Sequence, residues 1–131
     1  MGWEKKMNNF IFCSGDGNYT VEANVVKCGN DLNITIGGGN EYHIGAVALA
    51  VPRFEYKENE KRTASTSLLC VYGHREDELA YHTAKKIATS LDCIVSVSIG
   101  IHVDNISSEE INILINNVYE LMDTIIGYFN K

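Results

Sequence analysis

The sequence predicts an α+β domain: a largely antiparallel β-sheet in the order β-β-β-β-β-α-β-α, with two helices on one face. Three observations carry this. Residues 8–73 show strand character, with apolar side chains at every second position. Two stretches after Gly73 switch to the 3–4 spacing of a buried helical stripe. Runs of strands followed by helices favour a sheet covered from one side. The 131 residues suit one domain, 1–131, and 45% hydrophobic content excludes disorder.

The elements follow in order. Residues 1–8 read as a poorly ordered N-terminus. Tyr19, Val21, Ala23 and Val25 alternate with polar residues, and Cys28-Gly29-Asn30-Asp31 turns the chain into Leu32, Ile34 and Ile36. Gly37-Gly38-Gly39-Asn40 ends this hairpin. His43 to Val51 is nearly all apolar, as expected of a central strand covered on both faces. Pro52-Arg53 closes it, Glu55 to Arg62 is a solvated loop, and Thr63 to Tyr72 is the next strand. The first helix opens with Glu76, Asp77 and Glu78, placed where the helix dipole favours carboxylates. Val95, Val97, Ile99 and Ile101 restore the alternation. Ser107 and Glu110 have the spacing of a capping box, flanked by the hydrophobic staple pair Ile106 and Ile111. The apolar stripe from Ile111 to Phe129 reads as core or, in part, as a subunit contact.

Composition narrows the function classes. A net charge of −6 without a basic stripe argues against nucleic acid and anionic membranes. Most of the acidity lies in residues 75–131, with nine acidic and four basic groups, so a small phosphorylated ligand on the sheet half stays open. The longest apolar run, Ile44 to Val51, is too short to span a bilayer. The first ten residues lack the apolar core of a signal peptide, and the expected location is cytoplasmic. The widely spaced Cys13, Cys28, Cys70 and Cys93 read as buried free thiols.

Strand direction identifies candidate site residues. If 43–53 and 63–72 form a hairpin and the first helix is a crossover, 93–102 runs parallel to 63–72. His43, His74 and His102 then reach one edge of the sheet, with Glu76 and Asp104 beside them. Gly37-Gly38-Gly39 and the first helix N-terminus come to the same edge, an anion site in outline. Neutral imidazoles with a carboxylate suit a divalent metal or a phosphate, although no HxxxH or HExxH spacing is present. Arg53 with Ser65, Thr66 and Ser67 forms a second cluster at the opposite edge, suited to a phosphate or carboxylate. A symmetric dimer would bring the two clusters together. The small rows Ala46, Ala48, Ala50 and Ser96, Ser98, Gly100 admit a close second layer or a flat ligand. His82, in mid-helix, reads as structural. No nucleophilic elbow or paired-carboxylate pattern stands out.

Four stretches carry a resemblance: His43 to Arg53, Ala64 to Ser67, Gly73 to Ala80, and Gly100 to Ile106. Together they resemble the LpdD-like family, small accessory proteins associated with gallate decarboxylase. The match runs from about Tyr19 to Ile126; the first eighteen residues match nothing. Arg75 stands where lysine is expected, keeping the charge. The resemblance implies a fold like that of proteasome-assembly chaperones. It implies an accessory protein that binds prenylated flavin mononucleotide and delivers or matures it for a UbiD-type decarboxylase, without itself being the decarboxylase. It marks His43, Arg53, Ser65, Thr66, Ser67, His74, Glu76, Asp77, His102 and Asp104 as cofactor-binding. It further implies a homodimer and, beside the flavin phosphate, a divalent metal on His43, His74 and His102. Two other readings stand beside it: a protein-assembly chaperone acting through its dimer surface, and a small lyase using the histidines as acid and base.

Overall fold

The computed structural model describes residues 6–55, 61–71 and 76–130. In chain order the elements are strands β1 (Met7–Ser14), β2 (Val21–Cys28), β3 (Asp31–Gly39), β4 (Glu41–Glu55) and β5 (Lys61–Cys70), helix α1 (Asp77–Leu91), strand β6 (Val95–His102) and helix α2 (Ser108–Phe129). The expected α+β order is thus found. His74 lies outside the described residues, as do Gly73, Arg75, residues 1–5 and most of the 55–62 loop.

One six-stranded sheet has the spatial order β1-β2-β3-β6-β4-β5. Every neighbouring pair is antiparallel except β3 and β6. The direction argument holds in a modified form: β6 runs parallel to β5, but β4 lies between them and is antiparallel to both. Gly29, at φ +60°, is the first residue of the two-residue turn joining Cys28 to Asp31, a position that glycine fills without steric cost. β4 does not stop at Pro52; it continues to Glu55 against β5. Its last residue paired with β6 is Ala50, opposite Val95, so Pro52 has a ladder neighbour on one side only, where a missing N–H is tolerated.

The alternation sorts side chains onto two faces. Val21, Ala23, Val25, Ile34, Ile36, Val97 and Ile99 lie on one face, all but sealed from solvent. Both helices cover that face: α1 packs on β4, β5 and β6, and α2 on β1 and β2. The alanine row Ala46, Ala48 and Ala50 is fully buried, as are Ala80, Ala84 and Ala88 of α1. Small residues on both partners let this helix lie close to the sheet. On β1, Phe10 and Phe12 meet Tyr128 and Phe129 at the end of α2, with ring centroids 5.1–6.2 Å apart. The α2 stripe is therefore chiefly core, through Leu114, Val118, Leu121, Met122 and Ile125.

No described element covers the opposite face, and this corrects the expectation that β4 is buried on both sides. Leu49 is 46% exposed, Val51 41% and Leu69 76%. Apolarity along β4 therefore does not reflect two covering layers within one subunit. The cysteine expectation changes too: all four are free thiols, but only Cys93 is buried.

Candidate functional site

The start of β4 and the end of β6 lie side by side, with Glu41 opposite His102. Between the pairs Tyr42–Ile101 and Ala46–Ile99, β4 has three residues where β6 has one, Gly100. This bulge carries His43, Ile44 and Gly45, and it aims His43 away from the ladder. Glycine is required on both sides of it. A side chain at Gly100 would collide with the His43 carbonyl, and one at Gly45 with the Glu76 carboxylate.

Glu76, immediately before α1, fills the space left by Gly45. Its Oε1 lies 3.1 Å from His43 Nε2 and accepts the Ile101 backbone N–H at 3.3 Å. Its Oε2 is buried and has no hydrogen-bond partner among the described residues. Both side chains are largely enclosed, His43 20% and Glu76 12% exposed. His102 Nε2 lies 2.9 Å from Asp104 Oδ1, in a more exposed pair. An ionised carboxylate only accepts, so each imidazole carries its proton on Nε2. Asp104 is itself held by its N–H to Asn40 Oδ1 at 3.0 Å. The two imidazole rings are 6.4 Å apart. Topology thus brings His43, Glu76, His102 and Asp104 to one corner, although 33 residues separate His43 from Glu76.

Two expectations for this corner fail. The three glycines are not an anion nest: Gly37, Gly38 and Gly39 belong to β3 and sit in register with both β2 and β6 or with β6 alone. Their peptide groups are part of the sheet. At the α1 N-terminus Glu76, Asp77 and Glu78 gather three carboxylates, whose charge disfavours an anion there. The metal set also lacks support. Among the described residues no group of three or more His, Cys, Asp or Glu side chains is placed to hold a metal ion. His43 and His102 are each engaged by a separate carboxylate.

The second cluster lies at the other end of β4. Arg53 Nε donates to Ser65 Oγ at 2.7 Å on the uncovered face. Ser67, opposite Leu49, is also exposed. Thr66 falls between them and is half-buried on the helix side; its hydroxyl is 3.4 Å from the Ala64 carbonyl. Ten residues of strand separate Arg53 from His43, roughly 30 Å. A flavin mononucleotide is far shorter, so within one subunit it does not touch both.

Next to His102 the two helices diverge and leave a cavity of about 610 Å³. Its lining is mainly apolar, with Leu79, Ile101, Ile106, Leu114 and Ile115 prominent, and includes the polar side chains Glu76, Glu78, His82 and His102. That volume and lining suit a small molecule with a large apolar part. A second cavity of about 510 Å³ continues along the helices and shares His82 and Tyr119 with the first. Sequence reasoning missed His82, Lys85, Lys86 and Tyr119 as cavity residues. The helical spacing of the first three was visible, but not that their side of α1 faces a gap beside α2.

An α+β domain whose sheet is covered by helices on one side, with an apolar cavity beside a histidine–carboxylate corner, offers room for a small ligand. The sequence comparison makes this specific. The chain belongs to the prenylated flavin chaperone LpdD-like domain family, whose profile matches residues 15–130. The match starts four residues before the expected Tyr19 and continues past Ile126. No curated protein matches the chain.

Proposed function

We propose that this protein binds prenylated flavin mononucleotide and delivers it to a UbiD-type decarboxylase. The carrying observation is the family match across residues 15–130. The cavity supports the reading: its apolar walls suit the fused flavin and prenyl-derived rings, and His102 and Glu76 belong to its lining. The corner fits the ring system better than the phosphate, since its carboxylates repel an anion. When bound, the cofactor would be carried for chemistry performed elsewhere. The residues here bind and orient it. The His102 Nε2 contact to Asp104 orients the imidazole and leaves Nδ1 as the ring nitrogen for a ligand.

Two further features belong to this reading. Four unpaired thiols, three of them exposed, suit a reducing cytoplasm. The uncovered sheet face supports a homodimer, because Leu49, Val51 and Leu69 are apolar, contiguous and exposed. A protein-assembly role through that same face is the competing reading, favoured by those same side chains. Anaerobic absorbance titration with prenylated flavin mononucleotide decides between them. Saturable binding with a shifted flavin spectrum is the expected result; its absence from pure, folded protein would sink the cofactor reading.

A further inference from the structure

The two cavities along the helices differ sharply in charge. The first has Glu76 and Glu78 in its lining. The second is lined by Lys61, Arg62, Lys85 and Lys86, and by no carboxylate among the described residues. Arg62 is already engaged: it donates to the Thr89 and Ser90 carbonyls at 2.6 and 3.4 Å and lies 3.5 Å from Asp92. It therefore fixes β5 to the end of α1, leaving the three lysines as the cationic group. Lys85 lies 5.6 Å from the centre of the Tyr81 ring, a contact that keeps its ammonium at the helix surface. From Glu78 to Lys86 is eight helical residues, about 12 Å. His82 and Tyr119 line both cavities, so an acidic lining, an apolar lining and a basic lining follow one another along the helices.

We propose that the two cavities form one groove that binds an elongated anion: an apolar or aromatic body in the cavity beside Ile115, and a single phosphate head at Lys61, Lys85 and Lys86. The charge pattern sets the direction, because the head gains cations at one end and meets carboxylates at the other. Prenylated flavin mononucleotide has this form, as does an alkyl phosphate. Assigning the flavin to the groove rests on the function proposed above; the ligand class does not. The groove then supplies the phosphate contact that Arg53 is too distant to make.

The test titrates prenylated flavin mononucleotide, its dephosphorylated riboflavin form and n-decyl phosphate into wild type, K85E/K86E and Ile115→Trp. Leu79→Phe serves as a second cavity-filling variant if Ile115→Trp does not fold by circular dichroism. The expected result is at least tenfold weaker nucleotide binding in each variant. Removing the phosphate should weaken binding tenfold in wild type but hardly at all in K85E/K86E. Unchanged nucleotide affinity in both classes of variant overturns the groove and leaves the cofactor function standing. Binding of decyl phosphate but not the nucleotide, with the same variant losses, overturns the cofactor function and keeps the groove. If wild type binds neither phosphorylated ligand, both fall.

Discussion

Gly100 shows how much of the site depends on a missing side chain. Its neighbour across the sheet is the bulge of β4, and a β-carbon there would overlap the His43 carbonyl, which is backbone and cannot swing away. Gly100→Ala should therefore destabilise the fold by about 1–3 kcal/mol, the usual cost of overpacking. It should also displace His43 and weaken ligand binding. Gly127, in α2, has open space around it. Gly127→Ala should stabilise by about 0.5–1 kcal/mol, because alanine loses less backbone entropy in a helix. Chemical denaturation of the pair checks both signs. The sequence shows Gly100 only as a small residue in a small-residue row. The collision comes from a bulge in a different strand, invisible at that distance along the chain. The Arg53–Ser65 contact was more legible, because both residues belong to one hairpin.

Among the elements, α2 is the one whose beginning was readable residue by residue. The Ser107–Glu110 box is present as expected: Glu110 N–H donates to Ser107 Oγ at 3.2 Å, and Ser107 N–H to Glu110 Oε1 at 3.1 Å. The Tyr19 hydroxyl adds a bond to Glu110 Oε2 at 2.9 Å. The Ser107 backbone N–H, followed by the Tyr19 and Ser107 side chains, holds the Glu110 carboxyl below its ordinary range, while the same contact holds the Tyr19 phenol above its own. A depressed carboxyl contributes stability that is fully present above the unfolded-state value. That contribution is lost as the pH falls below the ordinary glutamate range and through the lower folded-state value. Gln at 110 retains hydrogen-bonding capacity but not charge. Melting temperatures of wild type should thus fall more steeply with acid than those of Glu110→Gln, and the two curves should converge at the acid end. Ser107→Ala should cost about 1 kcal/mol near neutral pH. α1 was less legible. Its acidic first turn was plain, but the direction of its His82–Lys86 side was not. Helical periodicity marks which residues share a face, while packing decides what that face meets.

At the scale of the whole molecule, the decisive asymmetry is one covered and one open sheet face. No helix among the described residues is long and apolar enough to cross a membrane. The apolar patch of Leu49, Val51 and Leu69 instead suits a protein partner. On the homodimer reading, Leu69→Asp should convert a dimer to a monomer in light scattering after size exclusion, with unchanged circular dichroism. Leu69 is 76% exposed, so its replacement disturbs little within the protomer. A wild type that is already monomeric would overturn the dimer.

The sequence by itself determined the element order, the hairpin turn, the α2 cap and the identity of the inward-facing residues. Each depends on periodicity or on groups a few residues apart. It also placed the β4 start and the β6 end on one edge of the sheet, because strand direction follows from connection length. Only the tertiary structure decided that β6 inserts between β3 and β4, that Glu76 sits in the space left by Gly45, and that the helices diverge beside two cavities of unlike charge. Those outcomes depend on how separate elements pack, and no local pattern encodes the distance between them.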